Sequence, residues 1–216
     1  MPLSLVRSVA RRQHRLMVER FLAVFPPSPR LKVLDLGVNG SLVDRDAHIF
    51  EASWPYPENL TACGLEDPDT FQRAWPEVRY VRGERGAHLP FADGEFDVVY
   101  SNAVVEHVGN RAAQRAFLEE VLRVGKAAFL TTPNRWYPLE LHTTLPLLHW
   151  LPARVYRPLY RGLGFDFFSR EENLNLLDES AVRDLVPPGV RYRIETHRFL
   201  GLPSNVLLIV EDKTRC

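Results

Sequence analysis

Apolar strand-like runs alternating with helical segments along 216 residues predict an α/β fold. The expected form is a doubly wound, mostly parallel sheet of seven strands with the last strand antiparallel. Three observations support it. Short apolar, β-branched runs recur along the chain, as buried parallel strands require. Segments of helical period separate most of them. The final two runs follow one another with no helix between, which suits antiparallel pairing at one edge. The length fits one well-buried domain spanning 1–216, with an N-terminal helix over 4–25 and an aromatic, proline-rich insertion over 135–168.

The first helix rests on Val6, Val9, Leu16, Met17, Phe21 and Val24 at helical spacing, with Arg7, Arg11 and Arg15 on another face. That pattern suits a surface helix packed on the domain, or one lying on a membrane. Pro26-Pro27-Ser28-Pro29 stops it. Leu31 to Leu36 is the first strand, ending at Gly37, and Ser41 to Ala52 follows as a candidate helix. Trp54-Pro55-Tyr56-Pro57 is a loop. Leu60 to Leu65 is the second strand, leading to Glu66; Asp67 then caps a short helix that starts with Pro68. Val78 to Arg82 and Phe96 to Tyr100 are strands three and four. Asn110 to Arg123 is helical through Ala113, Phe117, Val121 and Val124, and Lys126 to Thr131 is strand five. Asp178 caps a helix that runs to Val186 and ends at Pro187-Pro188-Gly189. Val190 to Thr196 and Asn205 to Val210 close the sheet. Pro138, Pro146, Pro152 and Pro158 limit the insertion to helices of two or three turns.

Composition narrows the partners. Lysine and arginine total 27, as do aspartate and glutamate. That balance gives no electrostatic footprint for nucleic acid. No stretch approaches the ~20 apolar residues that span a bilayer, and the N-terminal segment lacks the apolar core of a signal peptide. Two cysteines, Cys63 and Cys216, build no disulfide framework, so a cytoplasmic location is expected.

Ligands of open α/β sheets lie beyond the carboxyl ends of the strands. After strand one comes Asp35-Leu36-Gly37-Val38-Asn39-Gly40-Ser41, where glycines let the backbone approach a ligand. After strand two comes Glu66, a carboxylate able to accept from both hydroxyls of a ribose. Strand three leads to Gly83-Glu84, and strand four to Ser101-Asn102-Ala103.

These segments carry a resemblance. Val33-Leu34-Asp35-Leu36-Gly37 resembles the first motif of the class I S-adenosylmethionine-dependent methyltransferases, whose sheet is Rossmann-like. Leu89-Pro90-Phe91-Ala92-Asp93-Gly94-Glu95-Phe96-Asp97-Val98-Val99 and Ser101 to Val108 resemble the branch that includes quinone-pathway methyltransferases. Thr132-Pro133-Asn134 and Leu176 to Ser180 are in the same style. The resemblance implies S-adenosylmethionine as cofactor and a small-molecule methyl acceptor. It places Asp35, Gly37 and Gly40 near the methionine end, Glu66 on the ribose and Glu84 near the adenine amino group. Ser101 and Asn102 would form the floor beneath the sulfonium.

Two departures stand out. The family loop runs Asp-x-Gly-x-Gly-x-Gly; here Asn39 and Ser41 hold the second and third glycine positions, with Gly40 between them. Asp35 and Glu66 are 66 − 35 = 31 positions apart, against ~20 in comparable nucleotide folds. A catalytically idle member serving as a binding or scaffold subunit therefore stays open. A nicotinamide-dependent oxidoreductase also stays open, although Gly37-Val38-Asn39-Gly40 lacks the Gly-x-Gly-x-x-Gly phosphate turn.

Methyl transfer from a sulfonium is an in-line displacement in which alignment supplies much of the acceleration. A base is needed where the acceptor loses a proton. His107 and His142 are the catalytic candidates by type, with His149 as another and Glu140 behind them. Some family members bind a divalent metal through Glu-x-x-Glu-His at Glu106-His107; Ala103 replaces the first carboxylate, so no metal is expected. The aromatic insertion has three readings: core packing, a lid over an apolar acceptor, or an association surface. For the last, Arg154, Arg157 and Arg161 beside Trp150, Tyr156 and Tyr160 would meet a partner or a lipid headgroup.

Overall fold

The computed structural model describes residues 3–39, 48–86 and 88–211. Seven strands form one sheet in the order β3-β2-β1-β4-β5-β7-β6. They are β1 (Val33–Val38), β2 (Leu60–Gly64), β3 (Arg79–Arg82), β4 (Phe96–Asn102), β5 (Gly125–Pro133), β6 (Tyr192–Phe199) and β7 (Leu202–Val210). β1 to β5 are parallel, and β7 inserts antiparallel between β5 and β6. The expected fold class, including the antiparallel last strand, is the one observed.

The helices cover both faces. On one side α1 (Leu3–Val24), α2 (Ile49–Ser53) and α3 (Pro68–Ala74) build a core around Met17, Phe21, Phe50, Phe71, Tyr100 and Phe129. Phe21 stands edge-on to Phe50, Tyr100 and Phe129, with centroids 5.1 to 5.5 Å apart. This geometry lets aromatic quadrupoles attract and makes α1 a packed helix. On the other side α4 (Arg111–Val124) and α7 (Glu179–Leu185) cover Leu34, Leu36, Val99, Leu130 and Leu208. Asp67 and Asp178 cap where the sequence put them, and Asn110, read as the start of its helix, is the cap of α4. Asp67, Asn110 and Asp178 accept from the amides of Asp69, Ala113 and Ala181.

Several boundaries differ from the sequence expectation: β4, β5 and β6 each run two or three residues further than expected at their carboxyl ends. β1 starts at Val33 and continues through Gly37 to Val38. The helix expected over Ser41–Ala52 is described only as Ile49–Ser53, because 40–47 lie outside the described residues. β7 begins at Leu202, since the Leu200-Gly201 turn lets it pair with β6 from its first residue.

The insertion leaves the end of β5 and folds on itself. It contains α5 (Ala153–Gly162) and α6 (Asp166–Ser169), both short as its prolines require. Tyr156 and Tyr160 of α5 pack with Leu174 and Leu176 in a small core separate from the two against the sheet. Tyr156 and Tyr160 are buried, whereas Trp136 and Trp150 are 46% and 39% exposed. The insertion therefore packs one face internally and turns the other outward.

Candidate active site

A cavity of about 540 Å³ opens at the carboxyl ends of β1 to β4, within the range that holds a cofactor-sized molecule. Its wall comes from strand ends. Leu36 to Asn39 follow β1, Cys63 to Glu66 follow β2, Gly83 to Gly86 follow β3, and Ala103, Val104, His107 and Val108 follow β4. Ala113, Ala116, Phe117 and Glu120 of α4 close one side.

Local backbone explains this shape. Gly37 has φ +100°, and a β-carbon there would collide with the Val104 side chain. The crossover from β1 can approach the β4 loop only because that atom is missing. Ala103 also holds a left-handed φ of 55°, with its N–H bonded to the Thr131 carbonyl at 2.9 Å. Such non-glycine outliers concentrate at functional sites. Gly83 N–H donates to the Gly64 carbonyl at 2.8 Å, joining the ends of β2 and β3 at the rim.

Of the cofactor candidates, Gly37, Glu66 and Glu84 line the cavity, with both carboxylates exposed to it. Gly40 lies outside the described residues. Asp35, Ser101 and Asn102 are not on the cavity wall. Asp35 points to the opposite face of the sheet, where burial and the nearby Glu51 push its carboxyl well above the usual range. Strand alternation dictates this, since Leu34 and Leu36 take the cavity-side face. Ser101 is buried and donates to the Leu36 carbonyl at 3.0 Å, tying β4 to β1. Asn102 accepts from the Thr131 hydroxyl.

The two catalytic candidates meet, although 35 residues separate them. His107 Nε2 and His142 Nε2 lie 3.0 Å apart. His107 Nδ1 is 2.6 Å from the Asn173 carbonyl, and His142 Nδ1 is 2.6 Å from Glu140 Oε1. A buried glutamine fixes the frame: Gln114 donates to the Val105 and Asn175 carbonyls at 3.1 and 2.8 Å. This staples the turn carrying His107 to the segment carrying Asn173. His149 is buried elsewhere, its Nε2 on the Tyr137 carbonyl, and does not join the pair.

Proton positions follow from the partners. A carbonyl only accepts, so His107 Nδ1 carries hydrogen. Burial alone would raise the Glu140 carboxyl, but the His142 hydrogen bond and charge, with the Thr143 hydroxyl, hold it down at about 2. It is an ionised acceptor, so His142 Nδ1 also carries hydrogen. A hydrogen bond between the two Nε2 atoms then needs one further proton, and Glu140 lies where it offsets that charge. Burial opposes charge on His142, yet the Glu140 hydrogen bond and charge prevail and raise its pKa above the ordinary 6.5.

The expectation of no metal rested on a missing third ligand, and the fold supplies a third candidate. Glu106, His107 and His142 offer ligand atoms within 4.8 Å of one another. Glu106 is fully buried; its Oε2 accepts from Thr132 Oγ1 at 3.0 Å, while Oε1 has no hydrogen-bond partner.

Sequence reasoning missed three wall residues. Cys63 is a buried thiol on this wall, with burial and then Asp35 raising it to about 11, so it stays protonated. Arg85 donates to the Glu172 carbonyl and Asn173 Oδ1 at 3.3 and 3.2 Å, linking the β3 rim to the segment that holds His107. Phe117 was assigned to the helix core by period; the small neighbours Ala113 and Ala116 were the available signal that this face borders a cavity.

Residues 57–128 match the family described as a methyltransferase domain. No curated protein sequence matches the chain. Among solved structures, an S-adenosylmethionine-dependent methyltransferase from Mesorhizobium loti is 18% identical. The match covers 87% of this chain and 94% of that one, at a TM-score of 0.53. Magnesium protoporphyrin IX methyltransferase from Synechocystis, solved with bound S-adenosylhomocysteine, is 13% identical with coverages of 95% and 84% and a TM-score of 0.59. A Rhodobacter sphaeroides structure named provisionally as a zinc-dependent alcohol dehydrogenase is 13% identical, with coverages of 91% and 88% and a TM-score of 0.60. At these identities the likeness concerns the fold.

Proposed function

We propose that this chain, a class I methyltransferase by its matched domain and its fold, transfers the methyl group of S-adenosylmethionine to a small, partly apolar acceptor. The observation that carries the proposal is the cavity at the ends of β1 to β4, with carboxylates on one side and His107 on the other. Glu66, at the end of β2, accepts from the ribose hydroxyls. Glu84, at the end of β3, receives the adenine amino group. The Gly37 crossover admits the methionine portion between β1 and β4.

His107 faces this cavity and acts as general base. When the His107–His142 pair gives up its shared proton, two Nε2 lone pairs point at one another and an acceptor N–H or O–H can be received there. The proton then passes into the shared position, and Glu140 offsets the resulting charge. Leu36, Val104, Val108 and Phe117 make the remaining wall apolar, which suits an acceptor with apolar surface and strengthens alignment by excluding water.

Calorimetric titration with S-adenosylhomocysteine tests the reading. A saturable heat is expected, with none from NADH in parallel. Folded protein that binds neither would overturn it.

Glu106 Oε1, which accepts no hydrogen bond and lies 4.0 Å from His107 Nε2, favours one second reading, in which a divalent ion lies between Glu106, His107 and His142. Glu140 and the Asn173 carbonyl already hold both imidazoles with Nε2 forward, the arrangement that orients metal-bound histidines. Under the general-base reading, exhaustive chelation with EDTA leaves activity intact. Loss of activity, restored by zinc or magnesium, would favour the metal.

A further inference from the structure

We propose that the outer face of the insertion is a docking surface for an anionic lipid bilayer, on which α5 lies flat. Most large apolar side chains that the described residues leave exposed belong to this segment. Val155, Leu159 and Leu163 project one helical turn apart along α5, each 41 to 58% exposed. Trp150 and Leu151 precede them in the chain at 39 and 40% exposed, and Phe167 of α6 is 56% exposed. The adjoining face of α5, about 100° round the helix, is occupied, because Tyr156 and Tyr160 fill the insertion's own core. The exposed stripe is thus a second apolar face left without a partner, which singly scattered surface residues would not produce.

Charge selects the occupant. α5 carries Arg154, Arg157 and Arg161 and no acidic residue. Arg157 is turned inward, donating to the Ser169 and Leu174 carbonyls. Arg161 pairs with Asp166, which Arg170 also contacts, so one cation of that trio stays uncompensated. Arg154 has no ion pair among the described residues and flanks the apolar stripe. A second copy meeting this face across a two-fold axis would bring the same arginines together. An anionic headgroup layer neutralises them while the aliphatic side chains enter the acyl boundary. Trp136 and Trp150, with ring centroids 6.3 Å apart, provide the amphipathic rings that favour headgroup depth. Ten residues give α5 a length of ~15 Å, half a bilayer core, so it lies on the surface and does not cross. Docking here needs no methyl transfer, so its failure and that of the proposed function are separable.

The test is co-sedimentation of the full chain with vesicles of phosphatidylcholine alone and of phosphatidylcholine mixed with phosphatidylglycerol. Binding to the mixed vesicles is expected, weakened by salt, with a blue shift of tryptophan emission. Exchanging Leu159 and Leu163 for glutamate should lower it at least ten-fold, on the order of the loss from two buried leucines. Arg154→Gln should cost about five-fold on the anionic vesicles alone. Because these side chains are exposed, melting temperature should not move; should the double variant fail to fold, Leu159→Ser with the emission shift gives the same reading. Absence of binding to the mixed vesicles overturns the proposal. So does equal binding to both vesicle types, or a wild-type dimer in sedimentation velocity that Leu159→Glu splits into monomers.

Discussion

The rim of the sheet and the insertion beyond β5 solve opposite problems. At the rim, β1 to β4 each contribute four residues to the cavity wall, and the sheet holds them in place from behind. Their geometry is inherited from strand register. The insertion has no sheet behind it and holds itself with a separate core of Tyr156, Tyr160, Leu174 and Leu176. It nevertheless delivers His142 and Glu140 to the rim. On the proposed reading the fold takes its cofactor-binding groups from the rigid part and half of its proton-handling pair from the appended part. Substitutions in the two regions should separate cofactor binding from turnover.

The largest effect is expected at their contact. His107→Ala should lower turnover by about 10²- to 10⁴-fold, the usual worth of a positioned base. S-adenosylhomocysteine affinity should hardly change. If affinity falls as far as turnover does, His107 is a wall residue and the distinction between the regions fails there. Turnover in the wild type should rise with pH through a limb above 6.5, because His142 keeps its proton longer than an ordinary histidine. Replacing Glu140 by Gln should move that limb to lower pH.

The same pair sets a window of stability. Glu140 is buried and its pKa is depressed to about 2, so its contribution is complete above its ordinary 4.5 and fades as pH falls toward 2. The shift corresponds to roughly 3 kcal/mol at most. His142 is shifted upward, so its contribution is complete below its ordinary 6.5 and fades as pH rises through the raised value. Urea melts should therefore show the insertion most stable between about 4.5 and 6.5, and Glu140→Gln should flatten that profile. A profile unchanged by the substitution would show that the ion pair contributes nothing net.

On the rim, Glu66→Ala should weaken S-adenosylhomocysteine by ten-fold or more, as loss of a carboxylate bonded to two hydroxyls predicts. The side chain is exposed and bonds no neighbouring side chain among the described residues, so the melting temperature should stay put. Unaltered affinity in the folded variant would remove Glu66 from the site. Asp67, which caps α3 through the Asp69 amide, would then be the next carboxylate to test.

The rim was legible in the sequence because strand ends are. Apolar runs locate the strands, and whatever follows them faces the ligand, which is how Glu66, Glu84 and Gly37 were found. The placement of Asp35, Ser101 and Asn102 off the cavity wall has one cause. All three lie within strands, where alternation and neighbouring backbone carbonyls decide direction, and a family motif does not encode which face its acid takes in this chain. The pairing of His107 with His142 was beyond reach. It depends on the Gln114 staple and on the small core that brings residue 142 back over the rim, and neither leaves a periodic signal.

The smallest expected effect gives the finest distinction, and it concerns Trp136. Its ring is 46% exposed, packs against Trp150, lies beneath the Arg135 guanidinium and donates its N–H to Asp178 at 3.1 Å. A core role predicts that Trp136→Ala costs ~3–5 kcal/mol and weakens cofactor and acceptor together. The exposure argues otherwise, because the substitution leaves no closed void and gives up one hydrogen bond and a partial stack. A loss of about 1 kcal/mol is expected in urea denaturation, with S-adenosylhomocysteine affinity unchanged, since the rim is built by other elements. A lid role and a docking role then part company. If Trp136 covers an acceptor, the acceptor's Michaelis constant rises in detergent-free solution with no vesicles present. If it belongs to the docking surface, kinetics in solution stay the same and only vesicle binding falls. A stability loss of several kcal/mol would overturn both, and would mean that the insertion and the sheet are one packed unit.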